Sequence, residues 1–330
     1  MKTSPLAIVL GALVLSLSTP AFALNILLTN DDGLTSNVKA LYTALKADGH
    51  DVIVSVPCTG QSGMGGAVKF FEPLVPLSEA CLNNAALPGD PGAGPVTKVE
   101  YGYDYSDFYY VNGTPIMATA YGLDVPAIAR WGNGPDLVLS GPNEGQNVGP
   151  ILNTSGTVSN AQFAGTRGLP AIALSAGTNT AGETEDDGHV LDNPLSTVVA
   201  DLIVELIHAL QKKGGRHALM LPGVALNVNF PDAVSPASEW AFSKIGSYSA
   251  YAIRFAEDLS QDPIGARIGF AEVPYPGIVV SSNQAAPTRK QSQDEAVVYQ
   301  DKISVTPMQI LFDADASIQR WLRWRLCDLF

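Results

Sequence analysis

Short apolar runs alternating with helical patterns predict an α/β chain: a doubly wound, mostly parallel, three-layer Rossmann-like sheet with a C-terminal β-hairpin and helix arm. Three observations carry that prediction. Residues 25–29 form a continuous apolar run of the kind a strand buried on both faces requires. Beyond it Val38, Leu41, Tyr42 and Leu45 recur at helical spacing, Asp48-Gly49 offers a stop, and a second strand over 51–56 completes a β-α-β unit. Hydrophobic residues make up 46% of the 330, enough for one large core or two small ones and too many for disorder.

Taken in order, the chain opens with Lys2, an apolar run over 6–17 and the small-residue pattern Ala21-Phe22-Ala23. That is the layout of a secretory leader, so 1–23 is expected to be removed and the protein exported, periplasmic or secreted. The run is too short to span a bilayer. No later stretch reads as long and apolar enough either, so no membrane contact is expected after processing. The core follows over 24–234, with further strands at 137–140, 171–174 and 225–230 and helical patterns over 115–130 and 194–213. Residues 85–95, rich in Gly and Pro, read as a surface loop, and 178–192 as an acidic excursion. Over 235–300 the β-like segments are short, which predicts hairpins or an extended arm. A closing strand at 303–307 and an amphipathic helix around Ile318, Trp321 and Leu322 complete the 235–330 portion, assigned to the same domain. There is no internal repeat.

Charge narrows the function. Nineteen Lys and Arg against 32 Asp and Glu give a net charge of -13, which excludes a phosphate-tracking nucleic-acid surface. If the substrate carries phosphate, a cation must supply most of the positive charge. Cys58 and Cys81 lie close enough in sequence to bridge in an oxidising compartment, although two free thiols fit as well, and Cys327 is left over. No Cys/His spacing points to zinc.

In open α/β sheets ligands bind beyond the carboxyl ends of strands. Asn30-Asp31-Asp32-Gly33 holds that place after the first strand. Two adjacent carboxylates repel unless a cation sits with them, and a hard, oxygen-preferring metal suits them. Taken alone, the tetrapeptide fits a plain Asp-Gly turn capping the next helix better, and the other strand ends shift the balance. The second strand runs into Gln61-Ser62-Gly63, and the 137–140 strand into Gly141-Pro142-Asn143-Glu144-Gly145-Gln146-Asn147. Ser155-Gly156-Thr157 offers hydroxyls and amides at a helix start, a usual place for an anion.

Together these pieces resemble the SurE family of survival proteins: 26–33, then Gln61-Ser62-Gly63, Gly113-Thr114-Pro115, Ser140 to Gly145 with Asn147, Ser155 to Val158, Asn227 to Pro231 and Ser304 to Pro307, in that family's order across nearly the whole chain after the leader. The resemblance implies one divalent metal per subunit, Mg or Mn, held by Asp31, Asp32, Ser62 and Asn143. It implies catalysis by Asp31, Asp32 and Asn143, and phosphate or substrate contacts from Asn30, Gly63, Gly113, Thr114, Gly141, Asn147, Ser155, Gly156 and Thr157. The reaction implied is hydrolysis of nucleoside 5′- or 3′-monophosphates, or another phosphomonoester, by direct water attack. A homodimer or homotetramer through the C-terminal arm is implied as well. The pattern departs where Phe163 and Ala164 replace the family's usual Glu-Gly pair, and around 58–95 beside the expected substrate pocket. Two other readings remain: a broad exported acid phosphatase or polyphosphatase, and a non-catalytic phospho-ligand-binding protein.

Overall fold

The structure, a computed structural model, describes residues 22–97, 105–214 and 219–329. The expected leader up to residue 21 lies outside the described residues. β1 (Asn25–Thr29) leads through α1 (Ser36–Ala47) to β2 (Asp51–Pro57), the predicted β-α-β unit. Thr35 caps α1 by accepting the Val38 N–H. β3 (Ala93–Pro95) and β4 (Phe108–Val111) come next, followed by α2 (Pro115–Asp124) and α3 (Pro126–Trp131). β5 (Leu137–Glu144), α4 (Gly156–Thr166), β6 (Ala171–Ala176), α5 (Pro194–Gly214) and β7 (Val224–Asn229) complete the alternating part.

Among the described residues the main sheet has nine strands in the order β3-β4-β2-β1-β5-β6-β7, then β11 (Ile303–Gln309) and β8 (Trp240–Phe242). From β4 to β7 all neighbours are parallel. The edges are mixed, since β3 pairs antiparallel with β4, β11 antiparallel with β7 and β8 parallel with β11. The winding direction reverses between β1 and β5, and there the register sets Thr29 opposite Ser140. A crevice at the carboxyl ends of these two strands follows.

Alternate residues of the central strands feed two cores. Ile26 and Leu28 face one side with Val38, Leu41 and Leu45 of α1 and Val199, Ile203 and Ile207 of α5. Leu27 and Ile53 face the other, against Leu123, Ala127, Val158, Ala161 and Ala164. Ile26, Leu27 and Leu28 are wholly buried, each contributing ~1.5–3 kcal/mol. The second core is rich in Ala because its helices approach closely. A Cβ on Gly122 of α2 would stand 2.7 Å from Leu27 and 2.8 Å from Ser55.

The structure corrects five readings. The single helix expected over 115–130 is two, broken at Val125, because Pro126 lacks an N–H and disfavours helical geometry before it. Residues 85–95 are more than a surface loop: Ala85 and Ala86 are buried and β3 forms the sheet edge, a position that tolerates Pro95. The strand β4 was not anticipated. α5 is long and apolar enough to cross a membrane by length and composition, contrary to expectation, but its apolar face is the one packed on the first core. Lastly, 235–300 is not arm alone, since β8 joins the main sheet.

The arm itself is an antiparallel hairpin of β9 (Tyr251–Ala256) and β10 (Gly277–Ser282), with the short α6 (Pro263–Gly265) between them. α7 (Glu295–Val298) returns the chain to β11, and α8 (Ala316–Arg325) follows. α8 has the predicted amphipathic pattern, yet Ile318, Trp321 and Leu322 are 47%, 56% and 41% exposed. Cys58 and Cys81 form a disulfide that closes the loop carrying Ser62, and Cys327 is free and exposed.

Candidate functional site

The turn after β1 is built by Asn30, whose side chain donates to the Gly33 carbonyl (2.6 Å) and accepts the Gly33 N–H (3.1 Å). Asn30 is wholly buried, so its side chain shapes the turn rather than facing a substrate. The clamp turns Asp31 and Asp32 out at the crevice between β1 and β5. Asp31, only 3% exposed, accepts the Thr157 hydroxyl (2.7 Å) and also the Thr157 N–H. That places it at the N-terminus of α4, where a helix favours negative charge. Gly156 has to be glycine, because a Cβ there would lie 2.7 Å from Asp31 Cβ and 2.9 Å from Asp31 Oδ2.

Asp32 accepts the Ser62 hydroxyl (3.1 Å) and the Glu144 N–H (3.4 Å). The loops after β1 and β2 and the end of β5 therefore meet on one carboxylate. The Ser62 loop is tied down by Gln61 N–H to the Asp31 carbonyl (2.7 Å), by Gly65 N–H to Thr154 and by the Thr114 hydroxyl to Ala67 (2.6 Å). Thr114 also caps α2, and Gly113 packs against Met117. Thr114 thus supports the loop. Gly63 supplies its left-handed turn (φ +82°).

β5 runs further than the sequence indicated, through a register shift between Ser140 and Asn143 to Glu144. Gly141 permits this path: at φ +116° a Cβ would meet the Leu174 carbonyl at 2.1 Å. Asn143 Nδ2 donates to Gly145 (2.7 Å), whereas its Oδ1 is buried with no hydrogen-bond partner. A buried amide oxygen without a donor is unfavourable by about 1–3 kcal/mol, and a cation relieves it. The donor set is all oxygen, two carboxylates, one hydroxyl and one amide, which fits a hard divalent ion.

The electrostatics agree. Burial, then the Asp32 charge, push the Asp31 carboxyl up to about 7, against the hydrogen bonds from Thr157. Burial also raises Asp32, opposed by the Glu144 N–H and the Ser62 hydroxyl. Glu144 is a third acid in the cleft, pushed up to about 7 by burial and then by Asp32. Three such groups cannot all ionise comfortably without added positive charge.

Asn147 sits behind this arrangement, donating to Ser175 (3.0 Å) and to the Thr157 hydroxyl (3.4 Å). Ser155 caps α4 by accepting the Val158 N–H, so its oxygen serves the helix. Phe163 and Ala164, further along α4, pack in the second core. Sequence reasoning gave no role to Glu144 or to Asn160, whose Nδ2 ties the Asn30 carbonyl (3.1 Å) to Ser140 (3.3 Å). Glu144 was within reach of it, as the neighbour of Asn143 in a loop already singled out. A cavity of about 730 Å³ lined by Leu24, Asp136, Leu169, Met220 and Ile310 lies at the opposite, amino ends of the strands and takes no part.

Comparison with known proteins accords with this geometry. The chain is 34% identical over 217 residues to an acid phosphatase from Yarrowia lipolytica, a match covering 62% of this chain and 56% of that protein. It is 32% identical over 245 residues to a 5′-nucleotidase SurE from Desulfatibacillum aliphaticivorans, covering 73% and 78% of the two chains. A 5′-nucleotidase SurE from Thermosipho melanesiensis is 26% identical over 298 residues, covering 90% and 96%. The crystal structure of the SurE protein from Aquifex aeolicus shares the fold, with a TM-score of 0.62 at 24% identity over 91% of this chain and 99% of that one. The profile of the family described as survival protein SurE matches residues 26–251, more than half of the chain, and the chain belongs to that family.

Proposed function

We propose that this protein is a divalent-metal-dependent phosphomonoesterase that hydrolyses nucleoside 5′- or 3′-monophosphates to nucleoside and phosphate. The observation that carries the reading is the pair of adjacent carboxylates, buried Asp31 and half-buried Asp32, at the sheet's switch point, on the same crevice as the unpartnered oxygen of Asn143. Relatives named 5′-nucleotidase and acid phosphatase support the reaction class. Asp31, Asp32, Ser62 and Asn143 would hold the ion. When bound, Mg or Mn supplies Lewis-acid charge to a phosphoryl oxygen and makes water a better nucleophile.

The residues do the rest. Thr157 and the α4 terminus keep Asp31 oriented, and Ser62 with the Glu144 amide fixes Asp32. An aspartate at the cleft takes the proton from the attacking water. Direct attack by water is preferred over an aspartyl-phosphate, because that route needs a nucleophile one residue removed from its assisting acid, and these are adjacent. The low count of Lys and Arg leaves neutral amides, with the ion, to stabilise the developing charge.

Assays with a chromogenic ester and a panel of nucleotides, sugar phosphates and polyphosphate test this. Activity is expected to vanish in chelator and return with Mn or Mg, but not with Zn alone. Full activity after exhaustive chelation would overturn the metal assignment. Equal rates across the panel would favour the broad acid phosphatase reading, and binding without turnover the non-catalytic one.

Export and assembly belong to the same proposal. The leader pattern and the disulfide support an exported protein. The open apolar face of the hairpin, with Phe255 66% and Ile278 55% exposed, supports a homodimer or homotetramer through the arm. Native mass spectrometry of the exported protein reads both. The subunit mass should begin at Leu24 and appear as dimer or tetramer, and a full-length monomer would refute both points.

A further inference from the structure

Glu295 lies outside the cleft, at the start of α7, and has no solvent exposure. Burying a carboxylate is unfavourable by several kcal/mol unless donors surround it. Its Oε1 accepts the Gly149 N–H (2.8 Å), its Oε2 accepts Asn227 Nδ2 (3.0 Å), and the Thr306 hydroxyl donates to it as well. Asn227 Nδ2 also donates to the Asn147 carbonyl (2.9 Å). One carboxylate therefore ties the backbone on both sides of Val148.

That segment is the far end of the loop that begins with Asn143. Asn147 reaches forward from it: its Nδ2 donates to the Thr157 hydroxyl, which must then send its own proton to Asp31. The arm presses on the same place, since a Cβ on Gly149 (φ +62°) would stand 2.6 Å from the Tyr248 carbonyl. Every link is a hydrogen bond of defined direction.

We propose that Glu295 is a positioning residue for the metal site, fixing Asn147 and Gly149 so that Asn143 and the Thr157–Asp31 pair face one ion. This rests on the metal-phosphatase reading of that site. Both oxygens of Glu295 accept, and these donors work against burial, which raises its pKa. A glutamine would turn an NH₂ toward either the Gly149 or the Asn227 donor and break one tie. The alternative is a purely architectural role, holding α7 against β7 and β11, which would affect stability and nothing at the cleft.

Manganese binding to the full chain, measured without substrate by electron paramagnetic resonance of free Mn, separates the two, alongside Tm, kcat and KM. Glu295→Gln is expected to weaken Mn binding about tenfold, the scale of outer-shell changes at metal sites, and to lower kcat more than it raises KM. Glu295→Asp, which keeps the charge and shortens the reach, should fall between. Asp107→Asn, another wholly buried carboxylate but on the β4 side of the sheet, should lower Tm and leave Mn affinity unchanged. Wild-type Mn affinity and kcat in Glu295→Gln, with a lowered Tm, would overturn the proposal and leave the metal site standing. Should Glu295→Gln fail to fold, Glu295→Asp decides by the same criterion. A wild-type protein that binds no Mn would overturn the reading of the site and this inference with it.

Discussion

Asp32→Asn is expected to abolish turnover while the fold survives. The substitution keeps volume, and its amide still accepts the Ser62 hydroxyl through its oxygen, but the ion loses one of its two adjacent charges. A loss on the order of a thousandfold in kcat, about 4 kcal/mol of transition-state stabilisation, is the scale to look for. The metal-free protein should respond in the opposite sense. Asp31 in the fold titrates at about 7 rather than 3.8, so the folded state holds a proton that the unfolded chain has lost. Metal-free wild type is therefore most stable at low pH within this window and loses stability as pH rises through about 7. Removing the Asp32 charge relieves part of that penalty, so Tm of metal-free Asp32→Asn should exceed wild type at about pH 8, with a smaller difference at about pH 5. Paired kinetic and thermal measurements check both halves. An active variant with unchanged metal affinity would remove Asp32 from the site.

Asn143→Ala is the second large effect. It deletes a buried amide oxygen of the cleft that lacks a donor, together with the Nδ2 clamp on Gly145. Half-maximal activation should need at least about tenfold more Mn, and the rate at saturating Mn should drop too, because ligand and loop are lost together. Ser62→Ala should be milder: Ser62 is exposed, and water readily fills a vacated neutral position around a hard cation. Titrating activity against Mn for both variants gives the comparison. Wild-type metal dependence and rate in Asn143→Ala would reduce this loop to an ordinary turn.

How much of this was legible follows from the range of the forces involved. β1, α1 and β2 could be read because each announces itself locally, by a continuous apolar run or by Val38, Leu41 and Leu45 at helical spacing. β4 could not, since four residues of Phe, Tyr and Val carry no period, and β3 is three residues inside a Gly and Pro stretch. The loops that carry Asp31, Asp32, Ser62 and Asn143 could be expected to converge because the switch-point rule converts strand order into proximity, and Ser62 and the amide next to Asn143 do meet on Asp32. Asn30 and Thr114 were placed at the right spot, but as substrate contacts. Nothing local says that a turn will satisfy Asn30 with its own Gly33, or that Thr114 will bond Ala67. Asn160 and Glu295 were invisible for a related reason. Each has a partner far away in sequence, 130 and 146 residues off, and a single polar residue on a helix reads as a solvated face until the tertiary fold buries it.

β8 and β11 are parallel neighbours, Ile303 opposite Trp240 and Val305 opposite Phe242, so the chain leaves the sheet and re-enters one strand away. The two ends of the excursion are stitched at its base, where Lys244 pairs with Asp294 in a bridge and an ion pair. In evolutionary terms, the hairpin between them is an appendage with a fixed doorway. Doubling the length of a flexible excursion adds only about 0.6 kcal/mol of closure entropy. Changes of length in the β9–β10 hairpin are therefore cheap for the sheet, and descent can rework that tip while the doorway and the Tyr248 contact on Gly149 stay in place.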